Sequence, residues 1–127
     1  MHIESPTLQL NETASVSALS AAVLALEGKE DPFLILSKTP TPYMQALWTD
    51  DGFVLEYQED SIAKHYVANE LLTAEAMRET LIQYLNGIDE WKYAHTFSNK
   101  NIAGLSWRIG YSLGFLTGRI RALFHQT

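Results

Sequence analysis

The stretch Tyr43–Gln58 constrains this chain more than any other. Between Phe53 and Gln58, Phe53, Leu55 and Tyr57 alternate with Val54, Glu56 and Gln58. A period of two belongs to a strand, so the first set points to one face and the second to the other. Asp50-Asp51-Gly52 precedes it as a hairpin signal. Tyr43 to Thr49 reads as the strand on the other side of that turn.

Neighbouring segments extend the pattern. Phe33 to Leu36 is a short continuous apolar run, as a central strand requires. Thr39-Pro40-Thr41-Pro42 reads as a loop, because proline cannot donate to a ladder. Glu59-Asp60-Ser61 turns the chain again. Ile62 to Ala68 follows as a fourth strand, with Lys64 and Tyr66 on one face and His65 and Val67 on the other. Strands joined by such short turns form an antiparallel meander. Trp91 to Phe97 also alternates and is expected as a fifth strand.

Two helices flank the meander. Asn11–Thr13 offers caps for a helix to about Leu26, with Val16, Leu19, Val23 and Leu26 at helical spacing and Gly28 as the stop. Thr73 can cap a second helix to about Leu85, with Glu75 favoured by the dipole in its first turn. Met77, Leu81, Tyr84, Leu85 and Ile88 form its apolar face, and Asn86-Gly87 ends it.

A third helix is expected at about 102–124, a run without proline or acid. At 100° per residue it carries an aliphatic stripe of Ile102, Leu105, Ile109, Leu113, Leu116, Ile120 and Leu123. Trp107, Tyr111 and Phe115 form a second stripe roughly opposite. Gly110, Gly114 and Gly118 recur every fourth residue, at a cost of about 1 kcal/mol each relative to alanine. Close approach to a neighbour offsets such a cost. The neighbour is the protein's own sheet, a second copy, another protein or lipid. Trp107, Gly110, Tyr111, Gly114 and Gly118 are therefore the expected packing or dimer face.

The whole is an α+β chain: one domain over residues 1–127, with a four- to five-stranded antiparallel meander packed by three helices in the order α-β-β-β-β-α-β-α. Phe53, Leu55 and Tyr57 lead the face that packs on helices. The chain has no cysteine, so it has no disulfide framework, and the segment MHIESPTLQLNE lacks the form of a secretory signal. A cytoplasmic location is expected. The net charge of −6 is unevenly spread. All 15 acids precede residue 91, and Lys92, Lys100, Arg108, Arg119 and Arg121 follow without one. An acidic body repels phosphates, so nucleic acid is not an expected partner. Arg108 and Arg119 inside the last helix argue against membrane insertion.

Catalysis finds no support. Gly110-Tyr111-Ser112-Leu113-Gly114 matches a nucleophile-elbow pattern but lies inside a helical run, and no acid follows Ser112. His2, His65, His95 and His125 lack metal-site spacing, although His65 and His95 could meet on adjacent strands. Asp50, Asp51, Glu59 and Asp60 lack the spacing of a calcium loop and read as a solvated acidic rim. No catalytic residue, cofactor or metal is expected. Binding is the better reading. Glu56, Glu59 and Asp60 on or just after the clearest strand, with Tyr43 and Trp48 on the one before it, suit an interface facing a basic partner.

From about Leu8 to Phe97 the chain resembles small bacterial α+β proteins of the immunity type. The likeness is carried by Gly28, Phe33 to Leu36, Tyr43-Met44-Gln45, Gly52 to Gln58, His65-Tyr66, Tyr84-Leu85-Asn86-Gly87 and Trp91. The resemblance implies a non-enzymatic protein that binds and blocks a cognate toxin, and identifies no toxin. The alternative is a homodimeric secretion chaperone for an effector, with the glycine line as its dimer contact.

Overall fold

The computed structural model describes residues 1–39 and 41–99. Its strands are β1 (His2–Ser5), β2 (Leu10–Thr13), β3 (Phe33–Ser37), β4 (Tyr43–Thr49), β5 (Gly52–Gln58), β6 (His65–Ala68) and β7 (Phe97–Asn99). Its helices are α1 (Val16–Ala25), α2 (Ala74–Leu85) and the single turn α3 (Trp91–Ala94). The strands make one sheet in the order β2-β1-β3-β4-β5-β6-β7, antiparallel at every pairing. The chain is α+β, with a larger sheet than the four or five strands expected.

The meander forms where its local signals place it. The β4–β5 register runs from Tyr43↔Gln58 to Thr49↔Gly52 across the Asp50-Asp51 turn. Thr49 closes that turn: its hydroxyl donates to the Gly52 carbonyl at 2.7 Å and accepts from the Asp51 N–H at 3.2 Å. Gly52 has φ +141°, and a Cβ there would meet Leu71 Cβ and the Leu72 carbonyl oxygen, both at 3.1 Å. Glycine is needed on both counts. Beside it, Phe53 and Leu72 exchange backbone hydrogen bonds of 2.8 and 2.9 Å.

Three expectations are corrected. Asn11–Thr13 does not cap α1; it is β2, paired to β1. The cap is Ser15, whose hydroxyl accepts from the Ala18 N–H at 3.1 Å. Ile62–Lys64 is a 3-10 turn rather than strand, and β6 starts at His65. Trp91–Phe97 is not a continuous strand. The N–H groups of Lys92, Tyr93 and Ala94 turn back onto the carbonyls of Asp89 and Glu90, making α3. Tyr93 is left exposed while Trp91 is buried, and β7 begins only at Phe97. The helix order is accordingly altered, and residues 102–124 lie outside the described residues.

Alternation sorts the sheet into two faces. On the near face, Leu34, Leu36, Met44, Ala46, Phe53, Leu55 and Tyr57 pack with Leu19, Val23 and Leu26 of the α1 segment and Met77 and Leu81 of α2. Thr73 caps α2 by accepting from the Ala76 N–H at 3.1 Å. Gly28 at φ +75° and Gly87 at φ +73° follow the two helices, the left-handed conformation that ends a helix. Val16 and Ile88 are exposed rather than core. On the far face, Phe33, Ile35, Tyr43, Leu47, Val54 and Val67 form a second buried cluster.

Candidate functional site

The sheet places charged and aromatic groups at its two ends and a buried polar row between them. At the end where β3 begins and β4 meets β5, Trp48 is half-buried in a cleft of about 450 Å³. Glu30, Asp31, Asp50 and Asp51 line it with Lys29. The β3–β4 pairing brings them together: Phe33 opposes Leu47, and the Trp48 N–H donates to the Pro32 carbonyl at 2.9 Å. Asp31 has φ +50°, a conformation that aspartate tolerates better than most residues. An indole edge surrounded by four carboxylates suits a cationic, partly apolar group.

At the opposite end, Glu59 and Asp60 edge a second cleft, of about 350 Å³. Each has a lysine: Lys92–Glu59 at 3.7 Å and Lys64–Asp60 at 3.3 Å. Behind them is an aromatic cluster. Tyr57 stacks on Tyr66 at 4.9 Å and meets Trp91 edge-on at 4.8 Å. Burial, with the Glu59 carboxylate adding to it, pushes the Tyr57 hydroxyl up to about 12. Burial raises Tyr84 as well. The neutral phenols are held as core groups, and of the three carboxylates in the lining Glu59 and Asp60 each have a lysine, while Asp89 lines the cleft beside them.

The buried row lies on the far face. Glu56 and His65 are both fully buried, with Glu56 Oε2 3.6 Å from His65 Nε2, too long for a hydrogen bond. Gln45 Nε2 donates to Glu56 Oε2 at 3.4 Å, and Gln58 Nε2 donates to the Thr41 carbonyl at 2.7 Å. Glu56 Oε1 and His65 Nδ1 have no hydrogen-bond partner among the described residues. The Tyr43 and His65 rings meet at 6.3 Å.

The five expected partner-binding residues therefore occupy three places. Glu59 and Asp60 share one cleft, and Trp48 stands at the other end of the sheet. Tyr43 and Glu56 are buried on the far face and do not belong to an open acidic edge. His65 and His95 do not meet. His65 packs on the far face, while His95 lies 3.5 Å from the Thr80 hydroxyl of α2. Sequence reasoning missed Glu30 and Asp31, which read as connector. The antiparallel return of β3 onto β4 was the signal that could have paired them with Asp50 and Asp51. Trp107, Gly110, Tyr111, Gly114 and Gly118, and Ser112 with them, lie outside the described residues.

Among the described residues, no group of three His, Cys, Asp or Glu side chains is disposed to hold a metal ion. No helix among them is long and apolar enough to cross a membrane. The class that the fold defines is α+β, built on an antiparallel sheet. Compared with known family models, curated proteins and solved structures, the chain matches none of them.

Proposed function

We propose that the protein is a non-enzymatic binding module whose Trp48 cleft receives a basic surface of a protein partner. One observation carries this reading: a half-buried tryptophan ringed by Glu30, Asp31, Asp50 and Asp51, with Lys29 as the one cation in the lining. An indole in a concave site supplies contact area at low entropic cost, and aromatic anchors dominate protein interfaces. Fifteen acids against five bases over residues 1–99 give that part a charge of −10, which steers a cationic partner toward it. The Glu59–Asp60 cleft contributes less, because two lysines, Lys64 and Lys92, stand in its lining and pair with Asp60 and Glu59. The immunity-type likeness makes a bacterial toxin the partner to try first. The effector-chaperone alternative depends on Gly110, Gly114 and Gly118, and no described feature adds to it.

The test pairs the protein with the product of any toxin gene adjacent to its own. Asp50→Lys/Asp51→Lys should slow association by roughly tenfold and weaken the salt dependence of the rate. Trp48→Ala should speed dissociation. Glu59→Lys/Asp60→Lys should do neither to a comparable extent. Unchanged binding by both the Trp48 and the Asp50/Asp51 variants would refute the assignment.

A further inference from the structure

Asn86-Gly87 ends α2, and the chain beyond it lies against the end of β5, where Trp91 meets Tyr57 edge-on at 4.8 Å. The two ends enclose the cleft behind Glu59 and Asp60. Its volume of about 350 Å³ lies at the low end of ligand pockets, which run roughly 300–1,000 Å³. That size suits one small metabolite rather than a folded partner. Two polar atoms of its lining side chains have no hydrogen-bond partner among the described residues: the indole Nε1 of Trp91 and the amide Oε1 of Gln58. Both side chains are more than nine-tenths buried. Gln58 Nε2 is tied to the Thr41 carbonyl at 2.7 Å, which leaves Oε1 as an acceptor without a donor. Buried polar atoms are nearly always bonded in folded proteins, so one donor and one acceptor without partners in the wall of a single cleft point to a ligand that completes both.

We propose that this cleft binds a free α-amino acid with an apolar side chain, held as its zwitterion. The charges of the lining select that class. Glu59, Asp60 and Asp89 stand there with Lys64 and Lys92. A bare cation would meet two ammonium groups and a bare anion three carboxylates, whereas a zwitterion brings a countercharge to each sign. The two lysine pairs are part-exposed, at 3.3 and 3.7 Å, and such pairs exchange partners at little cost. Asp89 has no ion pair among the described residues. The ligand's ammonium donates to Gln58 Oε1 and to the Asp89 carboxylate. Its carboxylate accepts from the Trp91 N–H and is balanced by Lys92, whose Nζ already stands 5.6 Å from the Trp91 ring centre. Its apolar side chain meets the rings of Tyr57 and Tyr84, which burial keeps uncharged. This inference does not rest on the protein-partner reading, which concerns the other end of the sheet.

The test titrates the full chain separately with L-leucine, L-methionine and L-phenylalanine and follows the assigned indole N–H signals by NMR. The Trp91 N–H should shift and saturate with at least one of the three, and the Trp48 N–H should stay in place. For an amino acid that binds, the matching amine without the carboxylate and the matching acid without the ammonium should each bind more weakly by roughly tenfold or more. Asp89→Asn and Lys92→Gln change side chains at the surface of the cleft and should each weaken binding by roughly tenfold. Asp50→Asn/Asp51→Asn, at the Trp48 cleft, should leave it unchanged. A dissociation constant above about 10 mM for all three amino acids would overturn the proposal. So would a shift at Trp48 in place of Trp91, equal binding of the amine or the acid alone, or unchanged affinity in either the Asp89 or the Lys92 variant.

Discussion

Replacing Gly52 with alanine separates two costs at the β4–β5 turn. The backbone there has φ +141°, outside the left-handed helical well that other residues can visit. An added Cβ would stand 3.1 Å from Leu71 Cβ and 3.1 Å from the Leu72 oxygen. That oxygen accepts from the Phe53 N–H at 2.8 Å, so it cannot retreat without loosening the Phe53–Leu72 bridge. Backbone strain costs of order 1–3 kcal/mol, and weakening a bridge hydrogen bond adds about 1 kcal/mol. Gly52→Ala should therefore destabilise the protein by about 2–4 kcal/mol. Gly28→Ala is the control. Gly28 also has positive φ, +75°, but no atom lies within 4 Å of its added Cβ, so only the left-handed penalty of about 1–2 kcal/mol applies. Urea unfolding with linear extrapolation measures both variants against the parent. If Gly52→Ala costs no more than Gly28→Ala, the close approach of the Leu71–Leu72 backbone is not what requires glycine.

Three further outcomes follow from the same geometry. His65→Leu should leave the buried Glu56 side chain without the polar ring that lies 3.6 Å from it and cost about 1–3 kcal/mol, whereas Glu56→Gln/His65→Leu should recover part of that loss, by denaturation of both variants. Tyr57 ionises near pH 10 when unfolded and near 12 when folded. Above pH 10 the unfolded chain releases the proton first, so stability should fall between pH 10 and 12 by about 2–3 kcal/mol. Tyr57→Phe should flatten that decline, and tyrosinate absorbance should lose one of its late-titrating phenols, Tyr84 being raised as well. Thr73→Ala should cost about 1 kcal/mol through loss of the α2 cap, seen as a lower urea midpoint at unchanged slope.

What could be read from the sequence divides along the range of the forces involved. The meander was legible because turn chemistry and alternation are local: Asp50-Asp51-Gly52 sets the β4–β5 register by itself. Helix ends at Gly28 and Gly87 were legible for the same reason. The β1–β2 hairpin was not, since its strands are four residues each and Asn11, Glu12 and Thr13 are polar and exposed. Its turn, with Gln9 at φ +56°, carries no glycine. At Trp91–Phe97 the alternation misled, because the carbonyls of Asp89 and Glu90 accept from the following N–H groups and wind the chain before β7 starts. For the candidate site, the parity of Glu56 was readable and its burial was not. Burial depends on what lies over the far face. Glu30 and Asp31 joined Trp48 only through a β3–β4 pairing that no single segment encodes.

The strand order has a consequence for how the molecule opens. β3, β4 and β5 each pair with the next strand in sequence, across short connections. The β1–β3 and β6–β7 pairings instead close over about thirty residues each, and α1 lies inside the first loop and α2 and α3 inside the second. Long closures form late and cost more entropy than hairpins. Amides at the two flanks of the sheet should exchange with solvent through partial openings that leave the middle four strands zipped, while amides of β4 and β5 wait for global unfolding. The Trp48 cleft draws on both kinds of stability. Its indole and Asp50–Asp51 turn belong to the slow centre, and its Glu30–Asp31 wall hangs on the connector leaving α1. A partner gripping that cleft would tie a flank of the molecule to its most persistent part.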